Sequence, residues 1–182
     1  MVAMAETIND ELLVGQFNRG DESAFDRIVE RYAADVAALA NRLLGWPGDV
    51  EDITQEVFLS AFLGLKRFRC DCKLKTWLFT ITINKCRSYR YKRKLQRVQT
   101  IGIEMRPTLA ETDTSLMDED QFTRVRLALA RLPAKYRELL VLRYLQELPT
   151  MEIARILGVS KTTLNVRLSR ARECLRQELT QL

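Results

Sequence analysis

Residues 150–172 read TMEIARILGVSKTTLNVRLSRAR, and the spacing inside this stretch decides the fold of the region around it. Ala154 stands four residues before Gly158, and Leu164 six residues after it. That pattern predicts two helices crossing closely at a tight turn. The alanine is small where the second helix passes, and the glycine takes a left-handed turn position that other residues reach only at a cost. Thr150 is expected to cap the first helix, Met151 to Leu157, and Ser160 the second. Ile153 and Leu157 are then placed to meet Leu164 and Leu168. At about 100° per residue, Leu164, Leu168, Ala171 and Leu175 form one stripe, and Thr162, Asn165, Val166, Ser169 and Arg170 point away from it.

A helical hairpin with solvated arginines is the plain alternative. Arg167, Arg170, Arg172 and Arg176, all on or after the second helix, favour a helix-turn-helix that meets DNA. Such a helix reads bases mainly with its N-terminal residues, which makes Lys161, Thr162, Asn165 and Val166 the candidates. Asn165 suits an adenine edge and Val166 a thymine methyl. Arg170 and Arg172 suit phosphates, where they supply affinity without sequence information. Arg167 sits nearer the edge of the apolar stripe.

Outward from this motif the pattern stays helical. Val125, Leu129 and Leu132 mark a helix ended by Pro133, and Tyr136 to Leu145 mark another, ended near Pro149. Near the other end of the chain, Phe25, Ile28, Val29, Tyr32, Val36, Leu39, Ala40 and Leu43 follow three-and-four spacing. Asp21 is the expected N-cap of that helix, with Gly45 and Pro47 ending it. Asp49 is expected to cap the next, whose first turn holds Glu51 and Asp52 at the positive end of the dipole. Glu11 to Phe17 reads as a short helix before these, and about Lys75 to Arg93 as a third long one. Between Thr100 and Asp120 the periodicity breaks, and Gly102, Pro107 and an acidic, hydroxyl-rich run read as a flexible linker. The fold class is therefore all-α: two small helical domains, residues 1–97 and 122–182, joined by a flexible acidic linker over 98–121.

Composition limits what such a chain does. It is 182 residues long, 47% hydrophobic and 29% charged, which is ordinary globular material. It has no histidine, so the commonest acid–base group and the usual triads are missing; no enzymatic role and no cofactor or metal are expected. No apolar run reaches a membrane span, and Met1 to Asn18 lacks the marks of a signal peptide, so a cytoplasmic location is expected with Cys70, Cys72, Cys86 and Cys174 as reduced thiols. The net charge of +5 is unevenly spread. Residues 1–60 hold four basic against twelve acidic groups, while Ile81 to Arg97 holds seven basic groups and no acid. From Arg124 to the end, twelve basic groups stand against five acidic ones. One acidic, protein-facing surface and two polyanion-facing surfaces follow.

The segment Phe68, Thr76, Trp77, Phe79, Asn84, Arg87, Tyr89, Arg90, Tyr91 interleaves rings and cations. Stacking platforms beside phosphate-binding groups suit single-stranded or melting DNA, with Trp77 and Phe79 also readable as plain core. A stand-alone helix-turn-helix regulator remains the alternative function, though the chain shows no evident dimerising element.

Together these pieces resemble the extracytoplasmic-function group of bacterial sigma factors, over nearly the whole chain. Gly20-Asp21, Ala24-Phe25, Arg31-Tyr32, Glu51-Asp52, Gln55-Glu56-Val57-Phe58-Leu59, Thr76-Trp77-Leu78, Ile81 and Asn84 are similar to the family's first conserved domain. Leu132-Pro133, Tyr136-Arg137, Glu152-Ile153-Ala154 and Arg167-Leu168-Ser169-Arg170-Ala171-Arg172 are similar to its second. The resemblance implies that Asp52, Gln55, Glu56 and Phe58 dock on the clamp coiled coil of the largest subunit of core RNA polymerase. It implies that Arg67–Lys75 and the helix after it open the promoter −10 element and hold its non-template strand through Arg69, Lys75, Trp77, Asn84, Arg87 and Arg90. Lys161, Thr162, Asn165, Val166, Arg167 and Arg170 would bind the −35 element, with the helices before them on the polymerase flap. Core polymerase, promoter DNA and an anti-sigma factor are the partners implied.

Two departures stand out. The family commonly opens its recognition helix with Gly-Thr-Val-Lys-Ser-Arg, where this chain has Thr162-Thr163-Leu164-Asn165-Val166-Arg167. Cys70-Asp71-Cys72 occupies the −10 loop, where small or polar residues are usual; two thiols without a histidine read as loop residues rather than a metal or redox site.

Overall fold

A computed structural model describes residues 2–44, 49–99 and 118–182, and among these every regular element is helical. Eight α-helices follow in order: α1 Val2–Asn18, α2 Ser23–Leu44, α3 Val50–Leu65, α4 Leu74–Gln99, α5 Asp118–Arg131, α6 Ala134–Leu140, α7 Thr150–Leu157 and α8 Lys161–Thr180. Most of the sequence expected to form the linker, and Gly45 and Pro47 as the stop of α2, lie outside the described residues. No helix among the described residues is long and apolar enough to cross a membrane. Packing divides the chain into two units, the first from α1, α2 through Ala40, α3 and α4 through Arg93, the second containing α5 to α8.

In the first unit the apolar stripe of α2 is buried as its spacing requires: Ile28, Val36 and Leu39 are each at most 1% exposed. Asp21 starts this helix. Its Oδ1 accepts the Ser23 N–H at 3.1 Å and the Ser23 hydroxyl at 2.6 Å. The Ser23 hydroxyl is the main reason the Asp21 carboxyl sits below its ordinary range. α1 is longer than the expected Glu11–Phe17, and Leu13, Val14 and Phe17 bury its inner face. Asp10 ties it to α2: the Tyr32 hydroxyl donates to Asp10 Oδ2 at 2.6 Å and Arg31 Nη1 to Oδ1 at 2.8 Å.

Asp49 occupies the N-cap position of α3 but does not cap it. Its carboxylate turns instead to Arg93 Nη1, 3.4 Å away on α4, and to the Tyr89 hydroxyl. Burial first, then that hydrogen bond, raises the Tyr89 phenol above its ordinary value. α4 runs past the expected end at Arg93 to Gln99. Lys94, Leu95 and Gln96 are good helix formers, and no glycine or proline interrupts before Gly102.

In the second unit α5 is stopped by Pro133, and Arg137 reaches back to its end. The guanidinium donates to the carbonyls of Leu129 at 2.8 Å, Leu132 at 3.2 Å and Ala130, groups a terminating helix leaves unpaired. Val125, expected inside, is 38% exposed; Ala128, one turn on, is the buried residue. The single helix expected from Tyr136 to Leu145 is α6 followed by a π-helical turn, Val141–Leu145, in which Gln146 N–H bonds the Val141 carbonyl at 3.0 Å. A widened turn of this kind fits one extra residue into the helix.

Candidate functional site

α7 and α8 form the expected hairpin. Gly158 has φ 67° and ψ 39°, a left-handed conformation that favours glycine. Val159 N–H closes the turn on the Ala154 carbonyl at 3.0 Å. Ser160 caps α8, its hydroxyl accepting the Thr163 N–H at 3.1 Å. Two details differ from expectation. α7 begins at Thr150 itself, because Pro149 already holds the extended N-cap conformation, so Thr150 is a first-turn residue and not the cap. On its inner face Ile156, 4% exposed, lies deeper than Leu157.

On α8, Leu164 and Ala171 are buried while Leu168 and Leu175 are half-buried, so the apolar stripe faces inward. Thr162, Asn165, Val166 and Arg170 stand exposed away from that stripe, Val166 by 49%, while Lys161, also exposed, lies about 50° from its centre. Arg167 is half-buried at the boundary. The outer face of α8 is thus short polar and aliphatic side chains over its first turns, then arginine, a geometry suited to base edges followed by phosphates.

The first unit presents two further faces. On α3, Asp52, Gln55 and Glu56 are exposed. Phe58 is not with them. It is 8% exposed and packs edge-on against Phe25 at 6.4 Å, in a cluster where Phe17 and Phe25 also meet Phe62 at 5.2 and 5.1 Å. Helical geometry sends Phe58 some 120–160° around from Asp52 and Glu56, into the α1–α2 core. The residues that continue the acidic face are Leu59, 61% exposed, and Leu63, 71% exposed. Exposure of two large leucines one turn apart, in phase with Asp52 and Glu56, could have been found from the same helical wheel.

On α4, Trp77, Asn84 and, less centrally, Arg87 share one face, since seven residues turn the helix by about two full revolutions. Asn84 and Arg87 are exposed. Trp77 is half-buried, its ring 4.9 Å from that of Phe68, and a Cβ at Gly64 would come within 3.2 Å of it. The glycine makes room for the indole and so fixes its position. Lys75 and Arg90 lie off this face. Lys75 Nζ is 2.7 Å from Asp35 and 5.5 Å from the Phe79 ring centre, while Arg90 is half-buried. Arg69 is exposed in the loop between α3 and α4. Cys70 in that loop has φ 55° and a thiol pushed up by burial and by Glu11 and Asp71; neither it nor Cys72 is in a disulfide. Among the described residues no group of three or more potential ligands could hold a metal ion.

Comparison with known proteins matches two family models to these same helices. "Sigma-70 region 2" matches residues 28–97, and "Sigma-70, region 4" matches residues 122–175. The chain is 32% identical to the ECF RNA polymerase sigma factor SigW of Bacillus subtilis, over 93% of this chain and 96% of that protein. It is 31% identical to the ECF RNA polymerase sigma-E factor of Escherichia coli, over 94% and 95%. Among solved structures, CnrH in complex with the cytosolic domain of CnrY aligns with a TM-score of 0.70 at 28% identity, covering 94% of this chain and 97% of that one. The sigma factor RpoE in complex with the anti-sigma factor NepR, from Bartonella quintana, aligns with a TM-score of 0.72 at 25% identity, covering 86% and 96%.

Proposed function

The chain belongs to the ECF RNA polymerase sigma factors, and from that premise we propose how its exposed faces divide the work of directing RNA polymerase to promoters. One observation carries the reading: the two matched regions contain the two helices, α4 and α8, that display cation-bearing outer faces. Residues 1–97 act as the unit that docks on core polymerase and engages the −10 element, residues 122–182 as the unit that binds the −35 element, and residues 98–121 as the connection. The protein contributes selectivity and strand opening without chemistry of its own.

Within the first unit, Asp52, Gln55 and Glu56, extended by Leu59 and Leu63, form the surface for the clamp of the largest polymerase subunit. An acidic half followed by an apolar half suits a partner helix with basic and apolar residues in the same order. Phe58 serves that surface from behind, by holding α3 on the aromatic core. Trp77, Asn84 and Arg87 hold the opened non-template strand, the indole as a stacking platform fixed by Phe68 and Gly64, with Arg69 in the preceding loop and Arg90 adding positive charge from off this face. Lys75 keeps α4 in register with α2 through Asp35. In the second unit Lys161, Thr162, Asn165 and Val166 read the −35 base pairs, Arg167 and Arg170 bind phosphate, and α5 and α6 meet the polymerase flap. The solved complex of the sigma factor RpoE with the anti-sigma factor NepR supports the further proposal that an anti-sigma factor restrains this protein too.

The test is transcription by core polymerase from a panel of promoters, with and without this protein. Promoter-specific initiation only in its presence is the expected result. Absence of such initiation, with no complex between the protein and core polymerase on a sizing column, would overturn the proposal.

A further inference from the structure

In sequence Cys70 and Cys72 read as ordinary loop residues, but the structure gives them a common setting. Both line a cavity of about 80 Å³ between α1 and the α3–α4 loop, together with Glu11, Val14, Phe68 and Leu74. That is several times the space one water needs, so each sulfur has room to turn without displacing packed atoms. Cys70 is exposed and Cys72 half-buried. Only Asp71 separates them, and the chain bends at Asp71 and Cys72. Two residues of chain span at most about 7 Å even when straight, so at a bend the two Cα atoms fall inside the range that a disulfide bridges. Cys86 is fully buried and Cys174 belongs to the other unit, which leaves Cys70 and Cys72 as the pair able to meet. Both ends of their loop hold Trp77. The Phe68 ring lies 4.9 Å from the indole, and the Lys73 carbonyl accepts the Trp77 backbone N–H at 3.1 Å.

We propose that Cys70 and Cys72 are a reversible oxidation site, at which a low-molecular-weight disulfide closes the α3–α4 loop on itself and disturbs the indole platform. The exposed Cys70 attacks, as its thiolate, one sulfur of the reagent and releases the first small thiol. Cys72 then attacks the Cys70 sulfur of that mixed disulfide and releases the second. Two protein thiols are oxidised, one external disulfide is reduced, and the two protons leave on the small thiols. A ring closed over so few residues is strained and exposed, and disulfides of that kind are the labile ones, so excess thiol reopens it. Burial, then the carboxylates of Glu11 and Asp71, hold the Cys70 thiol above its ordinary value. The resting state is therefore the dithiol, and an uncharged reagent suits the site better than an anionic one. The effect on DNA rests on the reading that Trp77 stacks on the opened strand; formation of the disulfide does not.

The experiment treats the full-length reduced protein with 2-hydroxyethyl disulfide, which is uncharged, and then blocks the remaining thiols with iodoacetamide. The peptide carrying both cysteines is expected to lose two hydrogens, to take up no blocking group, and to regain both thiols with dithiothreitol. Cys72→Ser should stop at the mixed disulfide on Cys70. Holoenzyme assembled with oxidised protein, freed of reagent, should bind the non-template −10 single strand roughly tenfold more weakly, about the worth of one stacked base. Dithiothreitol should restore that binding. The double variant Cys70→Ser, Cys72→Ser should bind as the reduced wild type does, with or without the reagent. Mixed disulfides on both cysteines, a crosslink between two molecules, or a disulfide that leaves strand binding unchanged would overturn the proposal. Reduced wild-type holoenzyme that ignores the single strand would instead defeat the −10 reading and the effect drawn from it, while the mass of the peptide still decides the oxidation site.

Discussion

Lys85 Nζ lies 3.3 Å from Glu56 Oε2, so a cation on the helix proposed for DNA pairs with a carboxylate on the helix proposed for polymerase. The Glu56 side chain is 52% exposed and the Lys85 side chain 30%, and a pair so open to water contributes at most about 1 kcal/mol. Glu56→Gln is therefore expected to leave thermal stability nearly unchanged while weakening the complex with core polymerase several-fold. Calorimetry of the variant beside a core-binding titration checks both. A large fall in melting temperature with matching loss of binding would make Glu56 a structural residue and not a docking one.

The same division applies along α3. Leu63→Glu puts a charge on a side chain that is 71% exposed, so the fold should tolerate it within about 0.5 kcal/mol while core polymerase binding falls. Phe58→Ala removes a ring from the aromatic cluster and should cost about 3–5 kcal/mol of stability. Urea titration distinguishes the two: Phe58→Ala shifts the midpoint and Leu63→Glu does not. Polymerase affinity unaffected by Leu63→Glu would remove the leucines from the proposed surface.

The Asp10–Tyr32 hydrogen bond sets a pH dependence with a definite sign. Burial, then the hydrogen bond to Asp10, raises the Tyr32 phenol well above its value in an unfolded chain. The stability this contributes is complete below the unfolded value near 10 and is lost as pH rises toward the folded one. Tyr32→Phe should be less stable than wild type by about 1–2 kcal/mol at neutral pH. The gap should narrow when urea unfolding is repeated at roughly pH 11, where only the wild type must give up this contribution. Parallel stability curves across that window would show that Tyr32 does not carry it.

What the sequence discloses here depends on the range of the interaction. The α7–α8 turn is legible because its requirements are local: Gly158 supplies a left-handed conformation and Ser160 caps a helix three residues away. Asp49 has the same local credentials as a cap but is claimed by Arg93, forty-four residues on, which no local pattern reveals. Phe58 sits in the motif string beside Gln55 and Glu56, yet adjacency along the chain is not adjacency on a helix, and the rings that cover it come from α1 and α2. Tyr89 and Tyr91 point about 160° apart around α4, and the contacts of Asp49 and Arg93 with Tyr89 show which of the two is covered.

The recognition face of α8 offers the sharpest division of roles. Asn165 and Arg170 are both exposed on the side opposite Leu164 and Ala171. Five residues turn the helix by about 500°, so the two side chains diverge by roughly 140°, and both cannot reach into the same part of a groove. Asn165, in the first turns, is placed for a base edge, and Arg170 for the backbone. Asn165→Ala should lower affinity for the preferred −35 sequence by about 1–3 kcal/mol and relax the preference at one position, with little change in non-specific binding. Arg170→Ala should weaken binding across all sequences and reduce the salt slope by about one. Holoenzyme binding to −35 variants at several salt concentrations measures both quantities at once. A uniform loss for Asn165→Ala, or an unchanged slope for Arg170→Ala, would mean that α8 enters the groove in a different orientation from the one its exposed face implies.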